Sequence, residues 1–445
     1  MHSSSMAMPL HGARGDASLE HADTHEDVTP SEIAVGVIIG RASEYFDFFV
    51  FGIACVLVFP QLMFPFLSPL AGTLAAFGVF ALAFIARPFG TALFMAVQRL
   101  WGRGTKLTLA LFLLGSSTVS MALMPGYESA GTAAIAALVL LRIGQGVATG
   151  GSWDGLPSLL AMAAPKERRG WYAMVGQLGA PAGFVLAAAL FAYLYSHLTS
   201  AEFLAWGWRY PFCVAFAINV VALFARLRLV VGQSYAELLE ERELQPVGAA
   251  QLLREEGGNV FLGAFAALAS FALFHVVTIF PLSWISLYSE RSMTSVLNVQ
   301  VLGALLAGCA VMLSGQLADR IGRRNLLGGM AVLIGLFSIA APWLLDGSVT
   351  GGNIFLLVGF VLLGLSYGQA SGTVTANFSP QLRYTGAALS SDLAWLFGAA
   401  FAPLVALGLS SRFGLVGVSA YLLSGVACTL LALRINRLIE QQQRA

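Results

Sequence analysis

Charge is scarce in this chain. Of its 445 residues only 11% are Asp, Glu, Lys or Arg, against about 25% in a soluble domain. That shortage excludes a soluble enzyme of ordinary surface. Disorder is excluded too, because it needs low hydrophobicity and high charge, whereas 58% of the residues are hydrophobic and the mean hydropathy is +0.78. Neither sign dominates: the formal net charge is +1, without the basic face of a nucleic-acid binder. Cysteine is sparse as well. Cys55, Cys213, Cys309 and Cys428 lie far apart in apolar runs, so neither a disulfide framework nor a zinc site is expected. No cofactor is implied. What remains is an all-α membrane protein that crosses the bilayer many times.

A spanning helix needs about 20 mostly apolar residues. Twelve candidates satisfy this: 32–59, 69–97, 106–124, 131–163, 170–196, 207–230, 258–288, 295–317, 325–345, 353–378, 385–410 and 414–436. Several exceed a minimal span, which implies tilt, kinks or extension past the bilayer. With both termini placed inside, 18 of the 24 basic residues fall in cytoplasmic segments or inner span ends. Only Arg209, Arg291 and Arg412 fall outside, and Arg41, Arg87 and Arg142 lie within spans. That bias fixes the orientation by the positive-inside rule, with both termini cytoplasmic.

Residues 1–31 hold five acids and no apolar core of signal-peptide length, so they read as a solvated tail. Its histidines, His2, His11, His21 and His25, suggest nothing more than that. Residues 231–257 are polar, with six Glu, and read as a cytoplasmic linker. The expected organisation is a tail, a six-helix half over 32–230, the linker, a second half over 258–436, and a short tail over 437–445. The halves repeat a signal. Gly315-Gln316-Leu317-Ala318-Asp319-Arg320-Ile321-Gly322-Arg323-Arg324 follows the eighth span, and Gln98-Arg99-Leu100-Trp101-Gly102-Arg103 stands at the equivalent place in the first half. A short basic turn with Gly lets two helices reverse tightly. An Asp at one helix end can pair with Arg or cap a neighbouring helix. Recurrence after six spans indicates duplicated halves, as in many secondary transporters.

The Gly315–Arg323 pattern resembles the loop motif of the major facilitator superfamily. Further stretches resemble its metabolite:proton symporter branch, the relatives of bacterial α-ketoglutarate, citrate, shikimate and proline/betaine permeases. These are Glu44-Tyr45-Phe46-Asp47-Phe48-Phe49, Arg87-Pro88-Phe89-Gly90, Arg142-Ile143-Gly144-Gln145-Gly146 with Gly150-Gly151-Ser152-Trp153, Gln177-Leu178-Gly179-Ala180-Pro181, Trp206-Gly207-Trp208-Arg209-Tyr210-Pro211-Phe212 and Arg383-Tyr384-Thr385-Gly386. The set runs in order along the chain. Departures exist: Gln98 replaces an Asp, Arg41 a neutral amide, Ser152 a Glu, and Asp392 an amide. The resemblance implies a twelve-helix fold in two pseudo-symmetric halves and transport by alternating access. It also implies a gating role for Asp319, Arg320, Gly322, Arg323, Arg99 and Arg103.

Ionisable groups inside a bilayer are costly and usually face a cavity. Here they are Arg41, Arg87 and Arg142 against Glu44, Asp47, Asp154 and Asp392, plus His275. Four acids against three Arg leave one acid without its own cation. Such an acid is carried most cheaply in its protonated form, which is what a proton carrier requires. Arg41, Glu44 and Asp47 recur every third residue, on one side of a helix, and Glu44 lies about 20 Å into its span. Asp47 or Glu44 is therefore the expected proton site, with Asp154 and Asp392 as further candidates. The alternative is an Arg41–Glu44 pair that only holds the helix. Arg142, also near mid-membrane, and Arg87 are expected to bind the solute's carboxylate. The alternatives are an Arg87 that snorkels to the interface and an Arg142 that pairs with an acid of the first span. Gln145, Trp153 and Tyr367 are expected beside the solute. Asp392 has Arg383 as an alternative partner. His275 is a candidate pH-sensitive relay, with a hydrogen-bonded packing role as the alternative, and Gln369, Asn377 and Trp284 offer polar or aromatic walls that packing alone explains as well.

The expected function is proton-coupled symport of a small organic acid across the bacterial inner membrane by a monomer. Its partners are an anionic solute, protons and the bilayer, with no nucleic acid. Uptake of a zwitterion such as betaine or proline, or export of a hydrophobic compound, is the alternative. A membrane enzyme or sensor is the reading of a different class. It lacks support, because no nucleophile–base pair, metal spacing or soluble output domain is visible.

Overall fold

In the computed structural model, residues 30–152, Gly155, Leu160, 164–230, 245–370 and 378–444 are described. Among them helix dominates and no strand occurs. Inside a bilayer each backbone N–H and C=O must find its partner within the segment, and the long apolar runs can do so only as helices.

Span 1 is Pro30–Leu57. Spans 2 and 3 share one helical run, Pro69–Leu123, divided at Gly102. Then follow span 4 (Thr132–Gly151), span 5 (Arg169–His197), span 6 (Arg209–Val230), span 7 (Leu268–Tyr288), span 8 (Met293–Ile321), span 9 (Arg323–Gly347), span 10 (Val349–Tyr367), span 11 (Pro380–Phe413) and span 12 (Val416–Arg444). Ten of these helical runs are long and apolar enough to cross a membrane. The divided run supplies one more crossing, and span 1, which carries Arg41, Glu44 and Asp47, makes twelve. An even count puts both chain ends on one face, called here the termini face.

The repeat is visible in the backbone. Gly102 and Gly322 occupy equivalent turns with φ of 83° and 84°. Residues with a side chain rarely adopt such angles, so glycine is required twice, six spans apart.

The helix ends differ from the sequence expectation where polar residues intervene. The helix of span 4 runs to Gly151, Gly155 then turns with φ 80°, and Leu160 is helical again; the other residues up to the expected end at 163, Ser152 apart, lie outside the described residues. The helix of span 10 runs to Tyr367, and residues 371–377 of the expected span lie outside the described residues. Span 12 continues to Arg444, because Glu440 to Gln443 and their basic neighbours favour helix in water as well.

The run expected over 258–288 is three segments, with breaks at Ala267 and Ile279. Pro281 has no N–H for the Val277 carbonyl. Gln300 of span 8 reaches across and donates to Val277 O at 3.1 Å and Thr278 O at 2.8 Å. Span 11 shows the same device. It has a wide turn at Leu396–Ala400 ahead of Pro403, and the Tyr421 hydroxyl donates to Gly398 O at 2.6 Å. These substitutes let bent helices survive away from water.

Spans 2 and 4 pack backbone to backbone. A Cβ on Gly146 would fall 2.2 Å from Ala83 O, and one on Gly150 2.2 Å from Arg87 O. The two halves meet along a seam where span 5 packs on span 8 and span 2 on span 11. Aromatic side chains fill its middle: Phe49 stacks on Phe274 with ring centroids 5.6 Å apart, and Tyr45 lies against Phe274 and Trp395.

Candidate functional site

A cavity of about 50 Å³ lies at the seam. Spans 1, 2 and 4 give it the guanidiniums Arg41, Arg87 and Arg142, the carboxylates Glu44 and Asp47, and Gln145 and Thr149. Tyr45, Phe48, Phe84 and Trp395 form its aromatic wall.

Glu44 is the centre of an ion cluster. It accepts from Arg41 at 2.9 Å, Arg226 at 2.8 Å and the Ser152 hydroxyl at 2.8 Å. Arg226 also donates to Ser152 O at 2.5 Å. Arg226 is buried on span 6. The charge census places it among the inner span ends, so its pairing with Glu44 is new information. Its neighbour Arg228, two residues on, is exposed, as a helix rotation of about 200° demands.

Asp47 is one turn away and differently held. It is buried at 3% exposure. The Thr118 hydroxyl donates to it at 2.8 and 3.0 Å, and the Gln145 amide lies at 3.3 and 3.4 Å. Asn219 of span 6 is buried nearby, but its amide makes no hydrogen bond among the described residues. Among the described residues no Arg or Lys nitrogen comes within ion-pair distance of this carboxylate. Arg142 reaches it only through a relay: Arg142 Nη1 donates to Gln145 Oε1 at 2.9 Å, and Gln145 Nε2 faces Asp47 and Thr118. The rest of the Arg142 guanidinium is held by Phe80 O at 3.3 and 3.4 Å and lies 4.0 Å from the centre of the Phe51 ring. Cation–π contact of this kind stabilises a buried cation without neutralising it.

Arg87 and Asp392 close the cavity between the halves, at 2.6 Å. Thr91 also donates to Asp392 and to Gly150 O. The expected alternative partner, Arg383, instead donates to Phe378 O at 3.3 Å. The sequence balance of four acids against three Arg is revised here. Among the described residues around the cavity, Arg41, Arg87, Arg142 and Arg226 face Glu44, Asp47 and Asp392. Trp153, Asp154 and Asn377 lie outside the described residues.

On the termini face the loop residues bind across the seam. Asp319 accepts from the backbone N–H of Gly170 at 2.6 Å and Trp171 at 3.1 Å, at the start of span 5, where a carboxylate complements the helix N-terminus. Arg323 donates to Gln369 at 3.3 Å and Arg169 O at 3.4 Å, and Gln369 donates to Gly170 O at 3.1 Å. Arg320 is exposed. In the first-half loop, Gln98 accepts from Lys106 at 2.9 Å and from the Tyr384 hydroxyl at 3.1 Å. There an amide stands where Asp319 stands in the second half. Arg99 is exposed and Arg103 half-buried.

Tyr367 faces a second cavity, and its hydroxyl pairs with that of Tyr45 across the halves. His275 is fully buried among Phe48, Phe80 and Phe274, with Nδ1 3.2 Å from the Thr278 hydroxyl. Trp284 stacks on Phe280 and Tyr288, away from both cavities. The sequence reading missed Thr118, Thr91, Arg226 and Tyr45. Only Thr118 leaves a local signal, as the last of three hydroxyl residues, Ser116, Ser117 and Thr118, within an apolar run.

Comparison with known proteins agrees with this architecture. Residues 37–403 match the Major Facilitator Superfamily. The Inner membrane metabolite transport protein YhjE of Escherichia coli K12 is 34% identical over 424 residues, covering 93% of this chain and 96% of that protein. The Shikimate transporter of the same strain is 30% identical, covering 93% and 95%. The solved structure of the xylose transporter XylE from E. coli, in a partially occluded inward open conformation, superposes with a TM-score of 0.65 at 18% identity, covering 91% and 96%. That likeness extends to the fold. Twelve helices in two related halves, a cavity at their seam and loop contacts across it are the arrangement of a transporter, not of an enzyme: this chain belongs to the major facilitator superfamily and is a multi-pass membrane transporter of metabolites.

Proposed function

We propose that the chain is a proton-coupled symporter of small organic carboxylates, sited in the bacterial inner membrane as a monomer with both termini cytoplasmic. One observation carries this reading: Asp47 is a buried carboxylate held by neutral donors alone, in a cavity otherwise rich in guanidinium groups. An ion left uncompensated in low dielectric opposes movement between states. A proton on Asp47 removes that obstacle. It also raises the excess of Arg over ionised acids, which favours entry of an anion. Arg142, which has no acid paired with it among the described residues, is the first candidate for the solute's carboxylate, with Gln145 beside it. Trp153 remains a candidate for the solute site and Asp154 for the proton.

In this reading Glu44 has a structural part, since two Arg already neutralise it. Arg87 has two partners in turn. With the cavity closed it holds Asp392. An arriving carboxylate competes with Asp392, so binding loosens a contact between the halves. Asp319, Arg323 and Gln369 are the latch on the cytoplasmic face, and the two conformations exchange when bound ligands shift their balance. The aromatic wall of Phe48, Phe84 and Trp395 also suits the quaternary ammonium of a zwitterion, which keeps betaine in the test panel.

The test is uptake into proteoliposomes under an imposed pH gradient, with labelled organic acids and betaine compared. Accumulation of an acid that collapses with the gradient supports the reading. Accumulation of betaine alone would replace the anionic acid with a zwitterion, and uptake indifferent to the pH gradient would remove the proton.

A further inference from the structure

The seam holds a second cavity of about 20 Å³. It is lined from both halves, by spans 1 and 5 on one side and spans 7, 8 and 10 on the other. Its lining is almost wholly apolar, with Phe49, Phe184, Phe274 and Phe360 its largest members. Its polar members are Thr278 and Tyr367, and both are engaged. The Thr278 hydroxyl donates to Phe274 O at 2.7 Å, and the Tyr367 hydroxyl is paired with Tyr45.

Tyr45 lines the first cavity and Tyr367 the second. Their hydroxyl pair is therefore a partition between a compartment lined by guanidiniums and one lined by phenyl rings. Tyr45 belongs to span 1 and Tyr367 to span 10, so the pair bridges the two halves, and a movement that separates these two spans would break it and join the compartments.

We infer that the transported solute is a monocarboxylate with a compact apolar body, its carboxylate on the Arg142 side and its body in the second cavity once the Tyr45–Tyr367 partition opens. This rests on the carboxylate reading of the first cavity. The chemistry selects against other acids. A second carboxylate or a ring of hydroxyls entering the apolar compartment meets no unengaged donor and loses its water without replacement. An apolar body gains by leaving water, and a methylene in a fitted pocket is worth about tenfold or more in discrimination.

Isothermal titration on full-length protein in nanodiscs, with phenylacetate, acetate, succinate and glycine betaine as probes, tests this. Phenylacetate is expected to bind at least about tenfold more tightly than acetate or succinate. Ala307→Val narrows the second cavity and is expected to weaken phenylacetate by about tenfold while leaving acetate within about twofold. Val311→Leu is the second variant, with the same expectation, should the first fail to keep the wild-type melting temperature. Succinate binding as tightly as phenylacetate overturns the inference. So does loss of phenylacetate and acetate affinity in equal measure, or no loss at all, in the filled variants. If Arg142→Gln abolishes carboxylate binding while the filled variants change nothing, the carboxylate site stands and only the apolar compartment falls. If betaine binds and none of the three anions does, the solute is a zwitterion, and the anionic-solute reading falls and takes this inference with it.

Discussion

Glu44 and Asp47 stand three residues apart on one helix, and their surroundings are opposites. Glu44 is gripped by Arg41, Arg226 and Ser152. Asp47 receives a hydroxyl and an amide and, among the described residues, has no ion pair. Sequence gives both the same description: an acid deep in a span, near an Arg. The difference comes from what neighbouring helices bring. Span 6 delivers Arg226 to Glu44, while span 3 delivers Thr118 to Asp47. A buried acid with two cations is fixed in its charge and serves packing. One with neutral donors can lose its charge without stranding a partner.

The contrast is broken most sharply at Glu44. Glu44→Gln removes the carboxylate that Arg41 and Arg226 share, and breaking a buried ion pair should cost about 3–5 kcal/mol. A melting curve on purified protein would read this as a large fall in Tm, or as failure to recover folded protein. Asp47→Asn should fall at the other extreme, with a melting temperature close to wild type, because Thr118 and Gln145 can donate to an amide oxygen as well as to a carboxylate. Equal losses in the two variants would erase the distinction.

Arg142→Gln comes next. Under the proposed anion site it removes a charge-assisted contact worth about 1.5–3 kcal/mol, so the solute's Kd should rise at least about tenfold. Unchanged affinity there and in Arg87→Gln would place the anion elsewhere.

Gly146→Ala sharpens the picture of how span 4 carries Arg142. Its Cβ would fall 2.2 Å from Ala83 O, whereas a Cβ on Gly78 of span 2 meets nothing within 4 Å. Overpacking of this kind costs about 1–3 kcal/mol, so Gly146→Ala should melt below wild type and Gly78→Ala with it. Last are the paired turns. Ala at Gly102 or Gly322 should cost about 1–3 kcal/mol in backbone strain, at the lower end for both because each site is open, and the two losses should match if the halves are true repeats.

The fold was readable because the bilayer leaves few choices. Apolar length gave the crossings, and Gly102 and Gly322 gave the repeat. Pro281 and Pro403 signalled the bends, but their rescue by Gln300 and Tyr421 depends on helix rotation, which periodicity does not supply. The site was half readable. Arg142, Gln145, Asp47 and Arg87 announce themselves as polar groups in apolar runs. Their pairings do not: Arg87 meets Asp392 from 305 positions away, and Tyr45 meets Tyr367 from 322 away. Arg226 was hidden by its place near a span end, where cations are ordinary.

The central claim is that Asp47 carries the driving proton and Glu44 does not. Its most direct test compares solute counterflow with proton-driven accumulation in the same proteoliposomes carrying Asp47→Asn. Counterflow needs only binding and the exchange of conformations, while accumulation needs a proton to be taken up and released in each cycle. The account predicts that counterflow persists and accumulation against a solute gradient vanishes. Accumulation at the wild-type level in Asp47→Asn would contradict it, and its loss in Asp392→Asn alone would move the proton to the second half.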